Sequence, residues 1–290
     1  MGGDLRLNEN VEKSRWAGPL AILLSALLWS LSGLLIKYIP WHPMLIAAGR
    51  SFLTALVLLA YFRGRLLVRL NWITLLSGLS LMLTQSLFIA ANKMTTAANA
   101  IMLQYTMPVF IIMISAALYQ IRPSRREVLA MIWAMAGIVL FFIDDLAPGN
   151  LLGNILAILS GVTFAFFYVL NTRPTCHVPQ ATFLGQVLTL FAGLPFLGLI
   201  EPETITPSAI AALGVLGFFQ LGLAFIIFQY GIKRTSPLNA SLISMAEPIM
   251  NPVWVFLVLG EAPGLLALIG TVVVISGVLY MNLGSMKIKG

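Results

Sequence analysis

Apolar residues fill this chain in ten long runs, near residues 17–38, 42–62, 72–91, 97–119, 127–143, 151–170, 181–200, 208–231, 238–259 and 263–282. A helix rises about 1.5 Å per residue, so runs of this length match a hydrocarbon layer of about 30 Å; the fifth is the shortest. Polar residues collect between the runs, in connections too brief to hold a soluble domain. Lipid offers the backbone no hydrogen-bond partner, so each run is predicted to close its own bonds as a helix. The expectation is an all-α integral membrane protein with ten transmembrane helices. Polar tails over 1–16 and 284–290 are expected at its ends.

The runs also repeat. At a shift of 140 residues, Asn99-Ala100 and Pro108 fall on Asn239-Ala240 and Pro248, Lys93 on Lys233, and Gly137 on Gly277. This divides the chain into a first five-helix repeat over 17–146 and a second over 147–283. The basic residues set the orientation. Arg6, Lys13, Arg15, Arg63, Arg65, Arg69, Arg122, Arg125, Arg126, Arg173, Lys233, Arg234, Lys287 and Lys289 all fall on the side of the N-terminus. Only Lys37 and Lys93 fall opposite, beside Asp144, Asp145, Glu201, Glu203 and Glu261, while Arg50 lies within a run. The positive-inside rule then puts both termini in the cytoplasm. Five helices per half is an odd number, so the second half enters the membrane upside down. Two inverted repeats around a central cavity can exchange conformations and open alternately to either side. A duplicated scaffold without transport is the competing account.

Composition narrows the class. Of 290 residues, 59% are hydrophobic and 9% charged, against about 25% charged in soluble domains. The formal charge of +7 predicts no nucleic-acid partner, because the basic residues flank apolar runs, where topology and anionic lipid explain them. Cys176, His42 and His177 sit in predicted loops without metal-ligand spacing, so no disulfide framework, metal or other cofactor is expected. The N-terminus lacks a secretory signal's cleavage pattern, and Arg6 stands where myristoylation favours Ser or Thr. An enzyme would need a nucleophile–base or metal constellation, and the apolar runs hold no His or Cys. The expected partners are a small-molecule substrate and the lipid bilayer, and ten helices suffice for a monomeric pathway.

Candidate chemistry lies in the polar residues inside the runs. At about 100° per residue, Ser25, Trp29, Ser32 and Ile36 share one face of the first helix. At a shift of 135, Ser160, Phe164, Phe167 and Asn171 make the matching face of the sixth. These faces suit either a ligand stacked on aromatic rings or close helix packing through small residues. In the ninth run Ser241, Ser244, Glu247, Pro248 and Asn251 form one polar stripe, which should face protein or water. Pro248 removes a backbone donor and kinks the helix, freeing the Ser244 carbonyl for a ligand's ammonium group. The fourth run offers Gln104, Tyr105 and the equivalent Pro108, with Met107 opposite Glu247, so Pro108 and Pro248 are candidate hinges. Glu247, deep in a run, either binds a substrate amine, carries a proton, or is held structurally, alone or by Arg50. Gln85 and Gln220 offer amides at mid-membrane depth, for a zwitterion's two ends or for interhelical bonding. Glu261 is expected to cap Gly264 or the next helix.

The stretch Asn239–Asn282, NASLISMAEPIMNPVWVFLVLGEAPGLLALIGTVVVISGVLYMN, resembles the repeat unit of the drug/metabolite transporter superfamily, specifically its EamA-type exporters. Pro248, Gly260-Glu261, Gly270 and Gly277 carry the resemblance; the first half matches at Pro108 and Gly137, with Gln120-Ile121 in place of Gly-Glu. The resemblance implies alternating access, with the first and sixth, third and eighth, and fourth and ninth helices as cavity walls. With its aromatic content the chain looks most like the bacterial aromatic amino-acid exporters of the inner membrane. A broad effluxer of drugs, purines or other metabolites on the same fold is the alternative. Substrate-binding residues are then expected among Trp29, Ser32, Gln85, Gln104, Tyr105, Phe164, Phe167, Gln220, Ser244 and Glu247, with Glu247 also the candidate for proton coupling.

Overall fold

A computed structural model describes residues 2–32, 35, 39–67, 71–95, 97–143, 150–259 and 264–284. Ile36, Lys37, Arg69, Asp144, Asp145, Gly260, Glu261, Lys287 and Lys289 lie outside the described residues, as do the side chains of Arg6, Lys13, Arg15, Lys93, Asn99 and Asn251. Among the described residues the regular structure is all helical: α1 Gly2–Trp29, α2 Pro43–Tyr61, α3 Trp72–Met94, α4 Ala97–Gln104, α5 Met107–Tyr119, α6 Arg125–Phe142, α7 Leu151–Asn171, α8 Val178–Gly193 and α9 Pro207–Val215. A π-helical segment, Leu216–Leu223, leads into α10 Ala224–Ile232, followed by α11 Pro237–Ser244, α12 Ala246–Leu259 and α13 Leu265–Gly284. Among the described residues six helical stretches are long and apolar enough to cross a membrane: Pro43–Tyr61, Trp72–Ala91, Ala100–Tyr119, Leu151–Asn171, Val178–Leu199 and Pro207–Ile232.

Local sequence accounts for many boundaries. Asn71, Ser124, Asn150, Thr206 and Ser236 each accept a bond from a backbone N–H in the first turn that follows them, satisfying donors a helix start leaves free. Proline opens α2, α9 and α11, where its missing N–H costs nothing. Three features depart from the expectation of uniform rods. The first helix begins at Gly2, inside the expected tail, and ends at Trp29, with Ser30 and Leu31 in a turn. The fourth and ninth runs are each divided, at Tyr105-Thr106 and at Met245. Pro108 and Pro248 cause this: each lacks an N–H and crowds the carbonyl four residues back, at Gln104 and Ser244. The π segment of the eighth run contains no proline, and local sequence does not announce it.

The distribution of polarity is inside out relative to a water-soluble protein. Leu20, Phe52, Leu56, Trp72, Met113, Leu129, Leu151 and Leu268 are exposed, whereas Ser25, Ser51, Thr54, Ser77, Gln104, Ser160, Gln186 and Ser244 are buried. An exterior this apolar needs lipid around it, and the polar interior supplies interhelical bonds. The chain is therefore a multi-pass integral membrane protein.

Antiparallel α3 and α7 are joined by Thr84 and Thr163 at 2.9 Å and by Thr95 and Asn154 at 2.6 Å. Against α1, α10 runs antiparallel, with Ser25 donating to Ala224 O at 3.1 Å. Helix α6 lies antiparallel on α13 so closely that a Cβ on Gly137 would meet Val274 at 2.7 Å and Gly270 O at 2.9 Å. One on Gly277 would meet Ala134 and Ala130. Gly161 sits against Gln104 O, where a Cβ would lie 2.7 Å away, so glycine lets α7 approach the break between α4 and α5.

Candidate functional site

The helix breaks meet around one central cavity of about 100 Å³. It is lined by apolar Trp29, Leu81, Phe88, Phe164, Leu221 and Phe225 and by polar Ser32, Arg50, Thr84, Gln85, Gln104, Gln220 and Glu247. Residues from both halves of the chain contribute.

Each polar group has a structural reason for its place. Pro248 ends α11 at Ser244 and puts Glu247 in the first turn of α12. Free N–H groups at a helix start favour a carboxylate there. Tyr105, in the turn that Pro108 imposes, donates to Glu247 Oε2 at 2.7 Å and lies 3.2 Å from Ser244 O. The two proline breaks are thus tied across the site. The carbonyl freed by Pro248 lies against this phenol, whose single proton goes to Glu247. Ser244 Oγ pairs with Tyr168 at 2.7 Å. Gln104 Nε2 donates to Ser160 Oγ at 2.6 Å, and Ser160 Oγ donates to Thr84 O at 3.0 Å. Gln220, on the π segment, donates to Trp29 O at 3.1 Å, a carbonyl exposed by the end of α1.

Several lining groups are left without a partner. Trp29 Nε1 and Arg50 Nε are buried unpaired donors, and Gln85 Oε1 and Gln220 Oε1 are buried unpaired acceptors. Buried polar atoms in native proteins are rarely unpaired without a cause. Donors and acceptors left free in one cavity can be completed by a molecule that carries both. Arg50 and Glu247 add one positive and one negative group to its lining.

Of the ten residues expected to bind substrate, Trp29, Ser32, Gln85, Gln104, Phe164, Gln220 and Glu247 line the cavity. Tyr105 does not line the cavity but orients Glu247 through its hydroxyl, and Ser244 is held by Tyr168. Phe167 does not reach the space: it is fully buried, stacked on Phe228 at 5.6 Å. Ser25 also packs inside, bonded to Ala21 O and Ala224 O, so of the described residues of that predicted face only Trp29 and Ser32 line the cavity. Asn171 donates to its own helix at Phe167 O, and Ser241 to Leu238 O. Arg50, Thr84, Phe88 and Phe225 are lining residues that the sequence reading did not select as binding residues. Phe225 was illegible because Gln220 and Phe225 lie about 140° apart on an ordinary helix. The wider π turns advance less per residue and bring the two toward one side. For Arg50 the signal was present, a lone charge within an apolar run.

A polytopic bundle with a buried, mixed-polarity cavity defines a membrane transporter. Residues 16–143 and 151–283 each match the EamA-like transporter family, and the chain belongs to that family. It is a transporter and not an enzyme. An uncharacterized transporter of Archaeoglobus fulgidus is 30% identical over 68% of this chain and 71% of its own length. The uncharacterized inner membrane transporter YicL of Salmonella typhimurium is 26% identical over 93% of this chain and 96% of its own. A solved crystal structure, 22% identical, shares the fold with a TM-score of 0.81 over 95% of this chain and 100% of that one.

Proposed function

We propose that this protein exports aromatic or bulky apolar amino acids across the bacterial inner membrane, as ten helices in two inverted halves that open a central cavity alternately to each side. The observation that carries the reading is the polarity of the cavity. Trp29, Phe164 and Phe225 offer rings to it, and Arg50 and Glu247 offer opposite charges. An amino acid has the same division: a carboxylate for Arg50, an ammonium for Glu247 and the glutamine oxygens, and a side chain for the rings. Aromatic pairs contribute about 0.5–1.5 kcal/mol beyond area burial. Such a ligand would also complete the unpaired atoms of Trp29, Arg50, Gln85 and Gln220.

The inverted arrangement is supported by contacts that exchange under the repeat. Gly137 against Gly270 and Val274 becomes, at a shift of 140, Gly277 against Ala130 and Ala134. Gly78 against Leu184 becomes, at a shift of 135, Leu213 against Gly49. The first pair lies on antiparallel helices, as an axis in the membrane plane requires. Both termini are placed in the cytoplasm by the positive-inside rule, and one chain forms the whole pathway.

Counterflow in proteoliposomes tests the substrate. Loaded phenylalanine or tryptophan should exchange with external label, and absence of flux for both would sink the substrate assignment. Competition by purines or planar cations without competition by amino acids would favour a broader effluxer. For proton coupling through Glu247, flux driven by a pH gradient should disappear in Glu247→Gln; coupling retained in the variant removes Glu247 as the carrier. For the inversion, Arg65→Cys just after the second run and Gly198→Cys near the end of the seventh, both exposed, should react with an impermeant thiol reagent from opposite faces in a Cys176→Ser background.

A further inference from the structure

A second cavity, of about 380 Å³, lies further along α10 toward its C-terminal end and shares no lining residue with the first. It opens where the end of α2, at Tyr61 and Phe62, parts from α10, and it is closed by the loop from Cys176 to Pro179. Ile226, Gln229, Tyr230 and Lys233 project from α10 into its wall. Phe225 and Leu221, earlier along the same run, belong to the central cavity. The export reading makes no use of this second space.

Its polar groups are built for a ligand that the protein itself does not supply. Gln229 is 8% exposed, and neither its Oε1 nor its Nε2 has a hydrogen-bond partner. A buried amide left this way is destabilising, and a bound molecule that pairs with it would relieve that. Lys233 Nζ donates to Cys176 O at 2.9 Å and to Arg173 O. An ammonium has three N–H groups, so one remains. Arg234 lies over the Tyr230 ring at 3.7 Å, and Arg63 and Arg65 are exposed in the segment after α2. No acidic side chain lines the cavity among the described residues. The site is therefore cationic, with an amide donor and acceptor at its base.

The surroundings indicate an amphiphile. Tyr61 and Tyr230 are exposed at the rim, the position that amphipathic rings take at the membrane–water boundary. Phe52 and Leu56 on α2 and Leu223 on the π segment are exposed on the lipid side of the same two helices. A phosphate near Lys233 and Gln229 would leave acyl chains lying along that apolar surface. We propose that this cavity binds the headgroup of an anionic phospholipid, with Lys233 and Gln229 as the ligands of its phosphate. The shared chemistry is a phosphate ester, which a soluble metabolite also carries, so the test separates the two sources.

Native mass spectrometry of the detergent-purified full chain reads the first bound lipid directly. Dioleoyl phosphatidylglycerol should bind at least tenfold more tightly than dioleoyl phosphatidylcholine, and glycerol phosphate should not bind at the same concentrations. Gln229→Leu removes only an unpaired amide and should keep the fold, while weakening phosphatidylglycerol about tenfold, as loss of a bond to a charged group does. Lys233→Gln provides a second variant with the same expected loss. Equal affinity for the two lipids, or unchanged affinity in both variants, overturns the site. Binding of glycerol phosphate as tight as that of the lipid overturns the lipid as its source.

Discussion

Replacing Tyr105 by phenylalanine removes one hydroxyl and leaves the ring packing unchanged. That hydroxyl sits 2.7 Å from Glu247 Oε2 and 3.2 Å from Ser244 O, on a residue only 2% exposed. It has one proton, so the short contact to the carboxylate is the bond it makes. A bond to a charged group contributes about 1.5–3 kcal/mol and a neutral one about 0.5–1.5 kcal/mol. Tyr105→Phe should therefore lower the unfolding free energy by about 2 kcal/mol. In a Glu247→Met background only the Ser244 carbonyl remains as acceptor, and the same change should cost about 1 kcal/mol or less. The coupling between the two positions is then about 1 kcal/mol. Equilibrium unfolding of the four proteins in mixed micelles, followed by tryptophan fluorescence, measures it. If the two substitutions add within about 0.3–0.5 kcal/mol, the tyrosine does not hold the carboxylate and the link between the two proline breaks is wrong.

Three other outcomes follow from the packing. A Cβ at Gly270 would stand 2.5 Å from Phe141 N, while one at Gly214 meets nothing within 4 Å; Gly270→Ala should destabilise by about 1–3 kcal/mol and Gly214→Ala should stabilise by up to about 1 kcal/mol. Similar unfolding midpoints for the two would refute the tight α6–α13 contact. Arg50→Met should weaken amino-acid binding at least tenfold while leaving stability unchanged or raised, since it removes a buried cation without an observed ion pair among the described residues; destabilisation by about 3–5 kcal/mol would instead mark Arg50 as structural. Cys176, the one cysteine, is 2% exposed, and burial raises its thiol pKa against the opposing pull of Lys233. A raised pKa leaves less thiolate at neutral pH, so maleimide should label the folded protein far more slowly than the denatured one. Equal rates would contradict the packing of the loop.

The hydrophobic pattern by itself determined that this chain is a helical membrane protein built from two related halves, because lipid allows so few ways to satisfy a backbone. Glu247, Gln85, Gln104 and Gln220 were legible as candidate site residues for the same reason: polar groups in apolar runs must face the interior. Pro108 and Pro248 likewise announced the interruptions in the fourth and ninth runs. What lay against each of these groups was decided only by the tertiary structure. Phe167 shares a predicted face with Phe164, yet a neighbouring ring covers one while free space meets the other. Tyr105 bonds the Glu247 carboxylate across 142 residues of sequence. The π segment that turns Phe225 toward Gln220 carries no local signal. Periodicity describes one helix against an average environment, whereas a cavity is the space left where several helices fail to touch, and that depends on all of them together.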